Sequence, residues 1–225
     1  MISILPLPKA RRHKRRYDAV ISVEDPGIRA VKRLRFHRKP HPDHLVLRFE
    51  DIDHLDEGLA GPDISHMAAA ISFGRLHTGS SLLVHCHAGV CRSTAIGLAI
   101  IADRLGPGAE AEAVRALLAS NPGAAPTLCM LEMADALLDR SGALVEAWNV
   151  SAEQTARLVN YRNDKAKLLS EARHLFFPAP HGGHFPAIRY APDSLEPSNS
   201  GWIDPELAEV TSCGQRQAGR RSRNP

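Results

Sequence analysis

His85, Cys86, Gly89, Arg92, Ser93 and Thr94 lie close together in the stretch Leu82-Leu-Val-His-Cys-His-Ala-Gly-Val-Cys-Arg-Ser-Thr94. A thiol with an ordinary pKa of about 8.5 is only a few per cent thiolate at neutral pH. Placed at a helix N-terminus among cationic or hydrogen-bonding groups, it can ionise fully. A fall of about three pKa units corresponds to about 4 kcal/mol of differential stabilisation. Arg92 follows Cys86 by six positions and can fold back over the same loop. Its planar fork matches two oxygens of a tetrahedral dianion, which a lysine meets only as a point charge. Gly89 supplies a backbone conformation that a residue with a Cβ resists, so that successive amides can turn inward. Ser93 or Thr94 can donate to the sulfur or cap the helix. These residue types describe a nucleophile at the bottom of an anion cup.

The neighbouring elements must place those groups. Leu82–Val84 is an apolar run long enough for a buried strand. Ala95-Ile-Gly-Leu-Ala-Ile-Ile-Ala-Asp-Arg-Leu105 reads as a mostly buried helix, stopped by Gly106-Pro107-Gly108. Strand, tight loop and helix together gather backbone N–H groups around an anion and aim a helix N-terminus at it. His85, Cys86, His87 and Cys91 could also be soft metal ligands. Adjacent ligands strain a single tetrahedral site, however, and no Cys-x-x-Cys or His pair completes one. No metal or cofactor is therefore expected.

His85-Cys86-His87-Ala88-Gly89-Val90-Cys91-Arg92-Ser93 resembles the H-C-x-x-G-x-x-R-[S/T] loop of the cysteine-dependent protein tyrosine phosphatases. The match covers every fixed position, and it is nearest to the small dual-specificity-like and bacterial members. The resemblance is specific over about residues 45 to 105. It implies Cys86 as nucleophile, Arg92 as phosphate and transition-state clamp, His85 as a support of the thiolate, and Ser93 as an aid to thiolate departure. Residues 87 to 92 would bind phosphate. Relatives place an acidic residue just beyond the strand before the helix that leads to this loop, and no Trp-Pro-Asp loop is present here. Asp51 occupies that position, 35 residues before Cys86, with Asp53 in reserve and Asp56 behind both. Such a carboxylic acid protonates the leaving oxygen. Cys91 stands where a small polar residue or Gly is commoner, and a redox bridge to Cys86 is conceivable. Val90 replaces the Lys that accompanies inositol-lipid specificity in related loops.

The 225 residues suffice for one domain with a sizeable core and an appendage, and 44% hydrophobic content is ordinary for a globular chain. No apolar run approaches the ~20 residues of a bilayer span, and no apolar segment follows the basic N-terminal cluster as a signal peptide requires. The four cysteines show no disulfide-framework spacing. A reducing cytoplasm is the expected compartment.

The net charge of +3 is unevenly distributed. Residues 9–16 carry six Lys or Arg and residues 216–225 carry four Arg, with no acids in either. Setting those ten aside leaves 18 basic against 25 acidic residues, a body near −7. Both basic ends read as solvated arms, and a nucleic-acid role for them is disfavoured.

Asp18–Val23 and Leu45–Phe49 read as strands, separated by a basic, His-rich, loop-dominated segment in which His41 and His44 are taken as solvated. A helix opening at Gly61-Pro62-Asp63 turns Ile64, Met67, Ala68, Ile71 and Phe73 inward and ends near Gly79. Helices over 109–120 and 127–138 follow the central one. This alternation predicts an α/β fold, a three-layer arrangement with a central, mostly parallel sheet flanked by helices. The division expected is a basic N-terminal arm over 1–17, a catalytic domain over 18–150, a helix over 151–175 opened by the capping box Ser151-Ala-Glu-Gln154, and an irregular tail over 176–225. His181-Gly-Gly-His184 in that tail is read as adventitious.

The leading functional expectation is a phosphomonoester hydrolase working through a phosphocysteine on phosphotyrosine or on phosphoserine/threonine as well. The alternatives are a catalytically weak phosphoprotein-binding module and a thiol-dependent enzyme similar to arsenate reductases. The partner is a phosphoprotein or a small phosphomonoester, with no membrane.

Overall fold

Strand β4 (Leu82–Cys86) lies inside a four-stranded sheet of order β1-β4-β2-β3, with β1 at Ile2–Pro6, β2 at Ala19–Glu24 and β3 at Asp43–Arg48. Every pairing is parallel, and the register sets Pro6 opposite Cys86 and Ser22 opposite His85. The computed structural model describes residues 1–52 and 60–153. Among these residues six α-helices follow the strands in an α/β order: α1 (Leu7–His13), α2 (Ile64–Leu76), α3 (Arg92–Leu105), α4 (Glu110–Ser120), α5 (Leu128–Leu137) and α6 (Ala143–Glu153).

The two-residue period of a strand sends alternate side chains to opposite faces. Ala19, Ile21, Val23, Leu82, Val84 and Cys86 face the main core, which α2 to α6 complete. Val20 and Leu83 face the other way, onto a second cluster with Leu7 and Ala10 of α1 and Leu34 of the following loop. The sheet is therefore the middle of three layers, with a thin second cover. Helix α3 is buried over nearly its whole length, as its all-round apolar sequence requires. Its Gly97 lets β1 approach, since a Cβ there would collide with Ile4 Cδ1.

The N-terminal segment differs from the sequence expectation. Residues 1–17 are not a separate arm: β1 completes the sheet beside β4, and α1 seals its second face. Ile-Ser-Ile-Leu-Pro is too short to stand out before a dense basic run, and its partner is 80 residues away in sequence. The C-terminal boundary also moves. Helix α6 starts at Ala143 and already includes Ser151, which donates to Ala147 O at 3.0 Å rather than capping a new helix. Ile64 is 54% exposed because Asp63 is the N-cap and turns the first helical position outward, while His66, Met67, Ala70 and Ile71 are buried. Strand β4 continues two residues beyond Val84, to Cys86. The remainder of the predicted helix over 151–175, the tail and the His181/His184 pair lie outside the described residues.

Candidate active site

Cys86 is the last residue of β4, buried at 2% exposure, and Arg92 and Ser93 open α3. The five residues between cysteine and arginine form the loop. Gly89 turns it with φ +73°, a left-handed conformation that residues with a Cβ resist. A Cβ there would also meet Pro6 N at 2.7 Å and Leu5 C at 2.9 Å. The loop is thus clamped from below by β1, and Leu7 N donates to His87 O at 3.1 Å. Val90 O accepts from Ala125 N at 2.9 Å and from Thr94 Oγ1.

Around the sulfur, Gly89 N donates to Cys86 Sγ at 3.2 Å and Ser93 Oγ lies at 3.2 Å. Ser93 is therefore the hydroxyl at the sulfur, while Thr94 Oγ1 turns back to Cys91 O at 2.7 Å. Cys91, the N-cap of α3, is buried, as are Cys86 and Cys129.

Arg92 is 3% exposed. Its Nη1 donates to Phe49 O at 2.7 Å and meets Asp25 Oδ1 at 2.7 Å, and its Nε stands 3.7 Å from Asp51 Oδ2. Burial opposes the charge, yet Asp51, Asp25 and Cys86 more than offset it and the guanidinium pKa is raised. Asp51 lies just past β3, with Thr127 Oγ1 donating to its Oδ1 at 3.3 Å. Asp53 and Asp56 lie outside the described residues.

His85 points away from the cup, beneath the sheet. Its Nδ1 donates to Cys86 O at 3.2 Å, since a carbonyl can only accept. Its Nε2 must then accept, and Ser22 Oγ donates to it at 2.7 Å. Ser22 Oγ in turn accepts from His44 Nε2 at 2.7 Å. One assignment of protons satisfies the whole chain, with His85 a neutral Nδ1–H tautomer. Desolvation is the main cause that lowers the pKa of His85 to about 4 and of His44 to about 3. His44 is thus a half-buried strand residue hydrogen-bonded to Ser22, not a solvated loop histidine.

Cys86, His85, His87, Asp25 and Lys32 line one small recess with Leu7. A wider cleft between α5 and α6 is lined by Glu132, Asp139, Ser141 and Glu146. Among the described residues no group of three or more His, Cys, Asp or Glu could hold a metal ion, and no helix is long and apolar enough to cross a membrane.

Several solved structures are similar to this chain at low identity. PTPMT1, solved in complex with PI(5)P, is 19% identical over 62% of this chain and 89% of its own, with a TM-score of 0.46. Human DUSP28 is 15% identical over 68% of this chain and 95% of its own, with a TM-score of 0.45. A mouse putative dual specificity phosphatase complexed with zinc tungstate is 19% identical over 60% of this chain and 79% of its own, with a TM-score of 0.43. No protein-family model and no curated protein matches the chain.

Of the residues singled out from the sequence, Gly89 and Ser93 meet at Cys86 Sγ and Arg92 stands beside Asp51, whereas His85 turns away toward Ser22. Sequence reasoning missed Asp25, Ser22, His44, Thr127 and the Phe49 carbonyl. Ser22 left a trace, as a lone hydroxyl in the otherwise apolar run Ala-Val-Ile-Ser-Val. Asp25 left none, because Asp-Pro-Gly reads simply as a turn.

Proposed function

We propose that this chain is a cysteine-dependent phosphomonoester hydrolase acting on phosphotyrosine, or on phosphoserine and phosphothreonine as well. The observation that carries it is the convergence on Cys86 Sγ of the Gly89 amide and the Ser93 hydroxyl, at the N-terminus of α3 and beside a fully buried Arg92. Hydrogen bonds and a helix N-terminus aimed at sulfur favour its anion, and the same donors suit a phosphoryl dianion.

In the first step the Cys86 thiolate attacks phosphorus in line. A sulfur–phosphorus bond forms while the bond to the leaving oxygen breaks, and Asp51 delivers the proton that oxygen needs. Arg92 and the loop amides stabilise the equatorial oxygens. Substrate must displace Asp25 from Nη1, since a phosphoryl oxygen and that carboxylate compete for the same donors. In the second step Asp51 takes a proton from water, water attacks phosphorus, and Cys86 leaves as a thiolate with Ser93 Oγ donating to it.

Turnover of p-nitrophenyl phosphate inhibited by vanadate, and lost in Cys86→Ser, is the expected result. Binding of phosphotyrosine without turnover would make the chain a recognition module instead. Turnover retained in Cys86→Ser would remove the nucleophile.

A further inference from the structure

The basic N-terminal run is folded, and it meets a second basic run. Residues 9–39 hold twelve Lys or Arg against three acids, whereas residues 60–153 hold five against nine. Leu7 and Ala10 of α1 pack with Leu34 on one face of the sheet. Arg11 donates to Val31 O at 3.3 Å, Lys14 to Arg35 O, and Arg15 to Pro40 O and Arg38 O at 3.1 and 3.2 Å. Two cationic segments are thus stitched into one layer through backbone carbonyls, which order them without neutralising them.

Buried Glu24 pins that layer from beneath, taking Arg35 in two bonds of 2.7 and 3.0 Å with Arg33 and Arg48 within 4.0 Å. Nine of the twelve cations remain exposed, among them Lys9, Arg12 and Arg16 on one segment and Arg29, Lys32 and Lys39 on the other. Among the described residues none of these six forms an ion pair. Holding so many like charges together is unfavourable unless a polyanion covers them. Lys14 already registers the crowding: burial first, then Arg15 and Arg11, lower its pKa.

The layer has a direction. Residues 28–42 leave the C-terminal end of β2 at the Cys86 recess, which Lys32 lines, and return to the N-terminal end of β3. They therefore run the length of a six-residue strand, about 20 Å. A single phosphate at Cys86 leaves that length uncovered. An extended polypeptide of about six residues spans the rest.

We propose that this layer is a specificity surface for a phosphorylated polypeptide whose flank is acidic, with the phosphate in the Cys86 cup and the flanking carboxylates along residues 29–39. The proposal rests on the phosphatase reading above and deepens it.

The test uses the full chain and two phosphotyrosine peptides, one flanked by Asp and Glu and the other by Ala, at low and high salt. The expected result is about a tenfold higher kcat/KM for the acidic peptide at low salt, shrinking as the Debye length shortens. In the double variant Arg38→Glu, Lys39→Glu the ratio between peptides falls toward one. Equal rates for the two peptides, or a preference unchanged in the double variant, would overturn the proposal. p-Nitrophenyl phosphate turnover monitors the underlying reading separately. If it is absent, fluorescence anisotropy of the same peptides with the wild-type chain decides the surface alone. Tighter capture by an oligonucleotide or by phosphatidylserine vesicles than by the acidic peptide would also overturn it.

Discussion

Replacing Ser22 by Ala removes the hydroxyl that joins His44 to His85, at a position with no exposure. His85 Nε2 is then a buried acceptor without a donor, at a cost of about 1–3 kcal/mol. His44 is half-buried and recovers water, so its loss is smaller. The functional cost comes from the other end of the ring. Once Nε2 has no donor, the tautomer is no longer determined, and the Nδ1–H bond that holds Cys86 O is made only part of the time. Losing roughly 1 kcal/mol of cup preorganisation lowers kcat about fivefold to tenfold. Val20→Ala is the control: it lies on the same strand and face, is equally buried, and costs about 2 kcal/mol in packing alone. The assay is kcat for p-nitrophenyl phosphate with the alkylation rate of Cys86, both well below each variant's melting temperature. Should Ser22→Ala slow turnover no more than Val20→Ala, the chain of hydrogen bonds has no bearing on the nucleophile.

Three further outcomes are expected. Asp51→Asn lowers turnover of phenyl phosphate by about 10² to 10⁴ and of p-nitrophenyl phosphate by much less, because the better leaving group needs no acid; equal losses would deny Asp51 that role. Gly89→Ala forces both a positive φ and a contact of 2.7 Å with Pro6 N, so phosphate affinity and turnover collapse while circular dichroism at low temperature stays folded; unchanged kinetics would contradict the clamp by β1. The third concerns pH. His44 and His85 have folded pKa values of about 3 and about 4, below the ordinary 6.5, so the unfolded chain binds more protons between those limits. Their contribution is complete above pH 6.5 and is lost as pH falls toward 4, on the order of 3 kcal/mol for each. Denaturant titrations from pH 7 to 4.5 should show that decline, and His44→Gln should flatten it; a flat wild-type profile would contradict the neutral pair.

How far the sequence discloses the molecule depends on the range of the interactions involved. The anion loop is legible because its chemistry is local: strand, glycine, arginine and hydroxyl follow one another within a dozen residues. The parallel α/β architecture is legible from alternation alone. What escapes is assembled across the sheet. β1 is a strand only because β4 lies beside it, and Gly89 needs its missing Cβ partly because Leu5 and Pro6 pass underneath. His44 sits after two prolines and reads as loop, yet its register beside Val20 places it within reach of Ser22. The basic run over residues 9–16 has every compositional mark of an arm, yet Leu7 just before it and Ala10 within it pack against the sheet. Asp51 is suggested by resemblance, and its contact with Arg92 depends on how the chain leaves β3.

The central claim is that the sulfur of Cys86 takes up the phosphoryl group. Acid quench of the full chain during turnover of p-nitrophenyl phosphate, followed by peptide mapping under conditions that preserve thiophosphate esters, tests it directly. Phosphate should be found on Cys86, and it should accumulate further in Ser93→Ala, where the thiolate leaves without its donor. Phosphate on another residue, or sustained turnover with Cys86 never modified, would contradict the account.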